Sequence, residues 1–271
     1  MNFQDNTSPT PFPAKVSEVL DKEVDAPPHK ADWNYRSIIG KLNYLEKSTR
    51  PDLAFATHNA ARFSSDPREP HTKAVSKICR YLIGTRDKGL IFTPSKQPEI
   101  EVYADASFAG DWKRETATDD PATAHSRTGY VVMLAGCPLI WASKLQTEIA
   151  LSTTECEYVS LSEALRSVIP VMHIMEECVE RGLLDKTFKP RIKCTAFEDN
   201  SGALVMAKSP RMRPRTKHMN IKWHHFRSYT EGADPRIQLE AISTDDQLGD
   251  LFTKAVSHEL FVKFRKAILG W

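Results

Sequence analysis

Two aspartates in this sequence follow predicted strands and are candidates for metal-dependent chemistry. Asp105 ends an alternating run that begins at Ile100, and Asp199 follows another that begins at Ile192. If these strands are parallel neighbours, both carboxylates emerge at the carboxyl edge of the sheet, where α/β proteins bind ligands. Hydrolysis of a phosphodiester with two divalent ions needs several carboxylates that converge from distant segments. Asp199 and Asn200 fit a helix N-cap equally well, and this alternative stays open.

Glu157 is a third candidate because of the helical face on which it lies. The helix predicted from Ser152 to Gly182 has an apolar face that should meet the sheet, and Glu157 shares that face. A carboxylate in this place needs compensation, which a metal ion would supply. A capping box formed by Thr154 and Glu157 explains the same residue without any chemistry. Glu155 pairs with Ser152 as a cap, and we interpret it as structural.

Asp250 is a weaker candidate when only its register is considered. We expect a helix that begins at Thr244, with Gln247 completing a capping box. Asp250 then lies beside the apolar stripe of that helix and not within it. The register alone therefore predicts a solvated side chain.

One segment has the composition of a nucleic-acid contact. Residues 208–227 contain no acidic side chain, and Trp223 lies among their histidines. The basic residues are Lys208, Arg211, Arg213, Arg215, Lys217, Lys222 and Arg227. Such a stretch suits a phosphate backbone, although a solvated basic helix face has the same composition. The histidines lack the HExxH spacing of a zinc site.

The amino-terminal third of the chain is predicted to be helical after a disordered tail. Residues 1–31 are rich in Pro, Asp, Lys and Ser and lack periodicity, which is typical of disorder. The pattern of residues 32–95 is mainly helical, with Asn34 capping a first helix, Pro51 in the first turn of a second and Pro70 opening a third.

Residues 96–271 have the pattern of an α/β domain. Alternation predicts a first strand at 100–105, and two more at 129–134 and 138–142 that form a hairpin. A fourth strand is predicted at 192–197 and a fifth at 237–242, with helices between them. Three strands in a meander followed by two that are separated by helices indicate a mixed five-stranded sheet flanked by helices. A break or kink is expected at Pro170 in the long helix.

The composition excludes several classes of protein. The chain has 271 residues, a formal net charge of +2 and five cysteines without a CxxC pair. An odd number of widely spaced cysteines argues against a disulfide framework or a structural zinc site, and favours a reducing compartment. No apolar run approaches the roughly 18 residues of a membrane span, and the amino terminus lacks the apolar region of a secretory signal.

Seven blocks of the sequence resemble, in order, motifs of copia-type retrotransposon Pol polyproteins. The block YRSIIGKLNYLEKSTRPDLAFA (35–56) is similar to YRSLxGxLxYLxxxTRPDIxxA, which follows the polymerase palm in that family. The block YADASFAGD (103–111) resembles YxDADWAGD. The other blocks are KAVSKICRYLIGTRDKGLIF (73–92), SRTGYVVMLAGCPLIWASKLQTEIALSTTECEY (126–158), EDNSGALVMAKSP (198–210), RTKHMNIKWHHFR (215–227) and TDDQLGDLFTKAV (244–256). The resemblance extends over residues 33–271.

The resemblance implies an RNase H-like fold in residues 96–271, behind a thumb or connection fragment of the reverse transcriptase in residues 32–95. It also implies an Asp-Glu-Asp-Asp metal site, carried onto Asp105, Glu157, Asp199 and Asp250. The expected cofactor is two Mg²⁺ ions, with Mn²⁺ as the alternative, and the expected reaction is cleavage of the RNA strand of an RNA–DNA hybrid. At Asp250 the resemblance overrides the prediction from register.

Several positions depart from the family pattern. Ser107 and Phe108 replace the second Asp and the Trp of YxDADWAGD, and Asn220 stands where Asp is usual. Gly249 replaces an Ala, which we expect to loosen the helix that carries Asp250 by about 1 kcal/mol. The loop of residues 112–125 is longer than usual. The aromatic-x-D-D motif of the polymerase is absent from these residues, so this chain is not expected to polymerise DNA.

Other functions are compatible with parts of the pattern. A decayed or co-opted fragment would bind nucleic acid without cutting it. An integrase shares the fold class, but the order of the carboxylates and their flanking blocks fits an RNase H. A purely structural assembly module has no feature in its favour. The expected partners are the hybrid and the polymerase and integrase parts of a polyprotein, without a membrane, in a cytoplasmic virus-like particle or in the nucleus.

Overall fold

The computed structural model describes residues 8–15, 20–95, 99–115, 117–184, 192–209 and 224–271. Within these ranges no helix combines the length and the apolar character needed to cross a bilayer.

One mixed sheet organises the carboxyl-terminal two thirds of the chain. Its strands are β1 (Ile100–Ser107), β2 (Arg127–Leu134), β3 (Cys137–Leu145), β4 (Cys194–Glu198) and β5 (Ile237–Ala241). They lie in the order β3-β2-β1-β4-β5, with β1 antiparallel to β2 and parallel to β4, and with β4 parallel to β5. The predicted mixed five-stranded sheet flanked by helices is confirmed, and it has the RNase H-like form that the resemblance implied.

The β2–β3 hairpin closes through a two-residue turn. Ala135 and Gly136 have φ angles of 54° and 76°, which is the left-handed backbone of a type I′ turn, whose twist matches that of the flanking strands. The predicted hairpin is confirmed, although β2 begins two residues earlier than expected, at Arg127.

Eight α-helices cover the two faces of the sheet within the described residues. They are α1 (Tyr35–Ser48), α2 (Ala54–Ala61), α3 (Glu69–Gly84), α4 (Thr153–Glu180), α5 (Ser201–Lys208), α6 (Arg227–Thr230), α7 (Asp250–Thr253) and α8 (His258–Leu269). Asn34 caps α1 as predicted, because its side chain accepts a hydrogen bond from the Ser37 backbone N–H. Of the break or kink predicted at Pro170, the break is wrong, since Pro170 lies inside α4, a single helix of 28 residues.

Helix α4 covers one face of the sheet. Its residues Leu161, Leu165 and Val168 pack against Val102 of β1 and Val132 of β2 in one buried hydrophobic cluster. Ser160 fixes this packing, because its hydroxyl donates to the carbonyl oxygen of Asp105 at 2.6 Å. The start of α4 is thereby held against the end of β1.

Helices α1, α2 and α3 cover the opposite face together with α7 and α8. Ile39 of α1, Ile78 of α3 and Phe264 of α8 belong to the same hydrophobic cluster as Val131 and Met133 of β2. The amino-terminal helices therefore share a core with the sheet. The domain boundary near residue 95 stays a prediction, and hydrophobic contacts cross it.

The described part of the amino-terminal stretch lies against α3. Leu20 is buried, the carbonyl oxygen of Asp21 is 2.7 Å from Nε2 of His71, and the backbone N–H of His29 donates to Pro67. The predicted tail thus includes segments that pack on the folded protein, while residues 1–7 and 16–19 lie outside the described residues.

Candidate metal centre

The parallel pairing of β1 and β4 brings Asp105 and Asp199 to the same level of the sheet. Tyr103 pairs with Phe197, and each aspartate lies two residues beyond its member of that pair. Asn200, and not Asp199, is the N-cap of α5, where its side chain accepts from the Ala203 backbone N–H at 3.0 Å. Asp199 is therefore available to the edge of the sheet.

Glu157 approaches the two aspartates from α4. Carboxylate oxygens of Asp105, Glu157 and Asp199 all lie within 4.8 Å of one another. The capping box of Thr154 and Glu157 does not form, because α4 begins with Ser152 as its N-cap, which accepts from the backbone N–H of Glu155. Glu155 has the capping role expected of it, since its carboxylate accepts from the Leu151 backbone N–H.

Asp250 is buried beside this group, with only 1% of its surface exposed. The solvated side chain predicted from register is therefore wrong, and the place of Asp250 in the metal site stays a prediction from the resemblance. The physical reason is that no single helix runs from Thr244. A short 3-10 turn ends at Asp246, and α7 begins anew at Asp250, so the helical register does not carry over.

Residues 247–249 pack this segment tightly against β1. Gln247 does not complete a capping box but is buried, and its side-chain amide donates to the carbonyl oxygen of Ala104 at 2.9 Å. A Cβ atom on Gly249 would lie 2.9 Å from both the Cβ and the backbone nitrogen of Asp105. Gly249 precedes α7 and permits this close approach, so the expected loosening of a helix interior is wrong.

Threonine hydroxyls orient two of the carboxylates. Thr253, the last residue of α7, donates to Oδ2 of Asp105. Thr244 donates to Oδ2 of Asp199 at 2.8 Å. Each aspartate therefore has a neutral donor that fixes its rotamer, while its other oxygen can face the cluster.

Burial and mutual repulsion raise the pKa values of the clustered carboxyls. The pKa of Glu157 rises to about 11, first because the group is buried and then because Asp105, Glu198 and Asp199 are close. The pKa of Asp250 rises to about 7 through burial and the proximity of Asp105. The pKa of Asp105 is also raised, mainly by burial. These groups are crowded beyond what their own cationic neighbours neutralise.

Glu198 is an acidic neighbour that the sequence reasoning missed. It is fully buried at the end of β4, and burial raises its pKa to about 8. The signal was present in the strand alternation, because Cys194, Ala196 and Glu198 share the buried face of β4.

The donor set fits a divalent cation that prefers oxygen ligands. Oε2 of Glu157 is buried and has no hydrogen-bond partner among the described residues. Such an atom is costly unless a cation or water satisfies it. Carboxylates without Cys or His ligands suit Mg²⁺ or Mn²⁺.

Only the ends of the predicted basic segment can be placed. Lys208 ends α5, and the guanidinium of Arg227 donates to the carbonyl oxygen of Ser209 at 2.7 Å. Phe226 packs near Tyr158 of α4, which returns the chain to the helix of Glu157. The positions Arg211, Arg213, Arg215, Lys217, Asn220 and Lys222 lie outside the described residues.

Comparisons with known proteins agree with the order of the motifs. No family model matches the chain. The chain is 32% identical over 234 residues to the retrovirus-related Pol polyprotein from transposon RE2 of Arabidopsis thaliana, which covers 86% of this chain and 15% of that protein. It is 33% identical over 227 residues to the corresponding polyprotein from transposon TNT 1-94 of Nicotiana tabacum, covering 84% of this chain and 16% of that protein.

Among solved structures, the N-terminal RNase H domain of rv2228c from Mycobacterium tuberculosis, determined as a fusion with maltose-binding protein, aligns with 63% of this chain and 99% of that one. The TM-score is 0.38 and the identity 10%.

Proposed function

This chain belongs to the family of retrovirus-related Pol polyproteins from copia-type transposons, and from this premise we propose that it is their ribonuclease H. Its reaction is the endonucleolytic hydrolysis of the RNA strand of RNA–DNA hybrids. The chain spans about one sixth of the length of those relatives, so the remainder of the polyprotein is its expected partner.

The observation that carries this proposal is the convergence of carboxylates from separate elements. Asp105 comes from β1, Glu157 from α4 and Asp199 from the end of β4, and their oxygens lie within 4.8 Å of one another. Asp250 of α7 lies beside them in the same buried region. A structural role alone would not account for Oε2 of Glu157, which is buried without a hydrogen-bond partner among the described residues.

In this proposal the four carboxylates would hold two Mg²⁺ ions, or Mn²⁺ in their place. When bound, these ions would supply the activation of water and the stabilisation of the departing 3′ oxygen. The residues around them keep the ligands in position. Thr253 orients Asp105, Thr244 orients Asp199, and Ser160 holds α4 to β1. The ligands are therefore arranged before the hybrid binds, which lowers the cost of reorganisation during the reaction.

The choice of substrate rests on other parts of the chain. Contacts to 2′-hydroxyl groups across the minor groove would select RNA, and the basic segment 208–227 would hold the phosphate backbone. Helices α1 to α3, packed on the same sheet, would guide the hybrid. As part of a retrotransposon polyprotein, the chain would act in a cytoplasmic particle or in the nucleus.

The test is cleavage of a labelled RNA–DNA hybrid by the full chain in Mg²⁺. Asp105→Asn and Glu157→Gln should each lower the rate about a thousandfold, because each removes a ligand that supports several kcal/mol of charge stabilisation. Glu155→Gln is the matched control, since that carboxylate accepts from the Leu151 backbone N–H at the start of α4, and it should cut nearly as fast as wild type.

The result also separates the proposed enzyme from a relic. A wild-type chain that binds the hybrid but leaves it intact in Mg²⁺ and Mn²⁺ would reject the ribonuclease function and leave a nucleic-acid-binding fragment. Equal cleavage by wild type and Asp105→Asn would reject the assigned site.

A further inference from the structure

The segment from Asp250 to Lys254 supplies a carboxylate, its counter-ion and a hydrogen bond to a second carboxylate. The Lys254 ammonium lies 2.8 Å from Oδ1 of Asp250. Thr253, the preceding residue, donates to Asp105. Lys254 follows the last residue of α7 and has an extended backbone, so its side chain leaves the helix and reaches back to Asp250.

The Lys254 ammonium serves more than one acidic group. Asp105, Asp250 and Asp199 all raise the pKa of Lys254, which places its charge among the three. Among the influences on Asp105, Lys254 is the strongest of those that favour the ionised carboxylate. One intramolecular cation therefore neutralises part of the cluster.

On the opposite side of the cluster, no ion pair between a carboxylate and a protein cation is found among the described residues. Burial raises the pKa of Glu157, as do the acidic neighbours Asp105, Glu198 and Asp199, while a hydrogen bond from the Ala106 backbone lowers it. Glu157, Glu198 and Asp250 each carry a buried carboxylate oxygen without a hydrogen-bond partner among the described residues. Of these three oxygens, only that of Asp250 has an ion-pair partner there, the Lys254 ammonium. The set of oxygens within 4.8 Å of one another contains Asp105, Glu157 and Asp199 but not Asp250.

We propose that Lys254 occupies the Asp250 side of the site as a built-in cation, so that divalent ions bind in order. The first ion binds at Asp105, Glu157 and Asp199, whose converging oxygens form no ion pair with a protein cation among the described residues. A second ion binds at Asp250 only after the Lys254 ammonium has swung away. This inference rests on the proposed function, since it concerns the same site, and it assigns Lys254 as a positioning residue that sets the affinity for the second ion.

The exposure of Lys254 makes such a displacement feasible. Its side chain is 44% exposed, whereas that of Asp250 is 2% exposed. A lysine ammonium is a compact charge on a flexible stem, and it can exchange a carboxylate for water at small cost. The buried carboxylate cannot follow it into solvent, so Asp250 remains in place for another cation.

The experiment is a calorimetric titration, in which Mn²⁺ alone is added to the metal-free full chain and the heat of binding is measured. Wild type should bind one ion tightly and a second one more weakly. Lys254→Met should bind the second ion about tenfold more tightly, within the usual range for coupling between two sites. It should change the affinity for the first ion by less, because the ion pair of Lys254 is with Asp250. Lys254→Arg keeps the charge and should resemble wild type. Lys263→Met is the matched control, because Lys263 is half exposed and pairs with Asp246 outside the cluster.

Thermal unfolding gives a second readout that guards against a variant with a damaged fold. In EDTA, Lys254→Met should melt at a lower temperature than wild type, because Asp250 loses its counter-ion. The addition of Mn²⁺ should raise the melting temperature of Lys254→Met by more than it raises that of wild type. A variant that gains no more than wild type from Mn²⁺, or that binds the second ion unchanged or more weakly, would overturn the inference and make Lys254 a fixed structural partner. The absence of any Mn²⁺ binding would overturn it as well.

Cleavage of the hybrid in the same samples separates this inference from the proposed function. Tighter binding of the second ion by Lys254→Met without any cleavage supports the displacement and rejects the ribonuclease. Cleavage by wild type together with unchanged Mn²⁺ binding by Lys254→Met supports the ribonuclease and rejects the displacement.

Discussion

Two buried acidic residues of this chain, Asp52 and Glu157, have opposite surroundings. Both oxygens of Asp52 accept from the guanidinium of Arg50, at 2.9 and 2.8 Å, and the Tyr81 hydroxyl donates to one of them at 2.6 Å. Glu157 is 7% exposed, and one of its oxygens has no hydrogen-bond partner among the described residues. Burial alone therefore does not mark a functional carboxylate.

The difference lies in the source of the positive charge. The sequence supplies a fixed cation to Asp52, because Arg50 is two residues away and is itself buried. An arginine fork satisfies a carboxylate in two places and cannot lose its proton. Glu157 faces other acids instead. Among the described residues no fixed cation pairs with Glu157, which distinguishes it from Asp52.

The largest change in the free energy of unfolding is expected when Arg50, the fixed cation beside Asp52, is replaced. Arg50→Met leaves Asp52 buried without its ion pair and should lower the free energy of unfolding by about 3–5 kcal/mol. Urea denaturation of the full chain measures this loss. Arg36→Met is the control, since Arg36 is exposed and bonds only a backbone carbonyl. A loss below about 1 kcal/mol for Arg50→Met, which is typical of surface pairs, would contradict the role given to this pair.

Replacement of Glu157, the uncompensated carboxyl, should change the stability in the opposite direction. The raised pKa of Glu157, about 11 in the folded chain against 4.5 for the ordinary group, means that the folded state holds a proton that the unfolded state has lost. In EDTA the wild type should therefore lose stability as the pH rises above 4.5. Glu157→Gln does not titrate, and at pH 8 it should be more stable than wild type by about 1–3 kcal/mol.

Two conditions check that prediction. The advantage of Glu157→Gln should shrink towards pH 4.5, where wild-type Glu157 is protonated in both states. Saturating Mg²⁺ should stabilise wild type more than the variant, because the ion replaces the missing positive charge. A variant that is less stable than wild type at pH 8 in EDTA would contradict the assignment of Glu157 as an uncompensated carboxyl.

The smallest of the three changes in stability is expected when the spacing of the clustered carboxylates is altered. Gly249→Ala places a Cβ atom 2.9 Å from the Cβ and the backbone nitrogen of Asp105, and should cost about 1–2 kcal/mol through overpacking. In EDTA it should also reduce the pH dependence assigned to Glu157, because Asp105 is pushed away. Gly40→Ala is the control, since a Cβ there meets nothing within 4 Å. Equal stability of Gly249→Ala and wild type would show that the contact relaxes easily.

The sequence predicts the site better where regular elements determine it. The convergence of Asp105 and Asp199 was predictable because strand alternation and parallel pairing bring both to one edge of the sheet, although β1 continues past Asp105 to Ser107. Glu157 followed from the apolar face of α4 in the same way. The helical register did not predict the burial of Asp250, because α7 is a single turn of four residues. A periodic pattern cannot be recognised in one turn. Its position came only from the resemblance.

The hydrophobic pattern of the sequence does not predict contacts between elements that are distant in the chain. Periodicity shows that α1 and α3 have apolar faces, but not that these faces meet Val131 and Met133 of the sheet. The sequence did not indicate a role for Lys254, because a lysine after a short helix is usually solvated. Its role depends on a carboxylate four residues earlier that is buried only in the folded chain.

The shared core of α1, α3, α8 and the sheet has a consequence for how such polyproteins can evolve. A recombination breakpoint near residue 96 would leave the sequence motifs on either side of it intact. It would nevertheless divide one hydrophobic cluster between two parents. The two halves would have to complement each other's side chains, as partners of an obligate heterodimer do. Inheritance should therefore keep the helical region and the sheet together, and a breakpoint that preserves both halves of that cluster should fall before Tyr35.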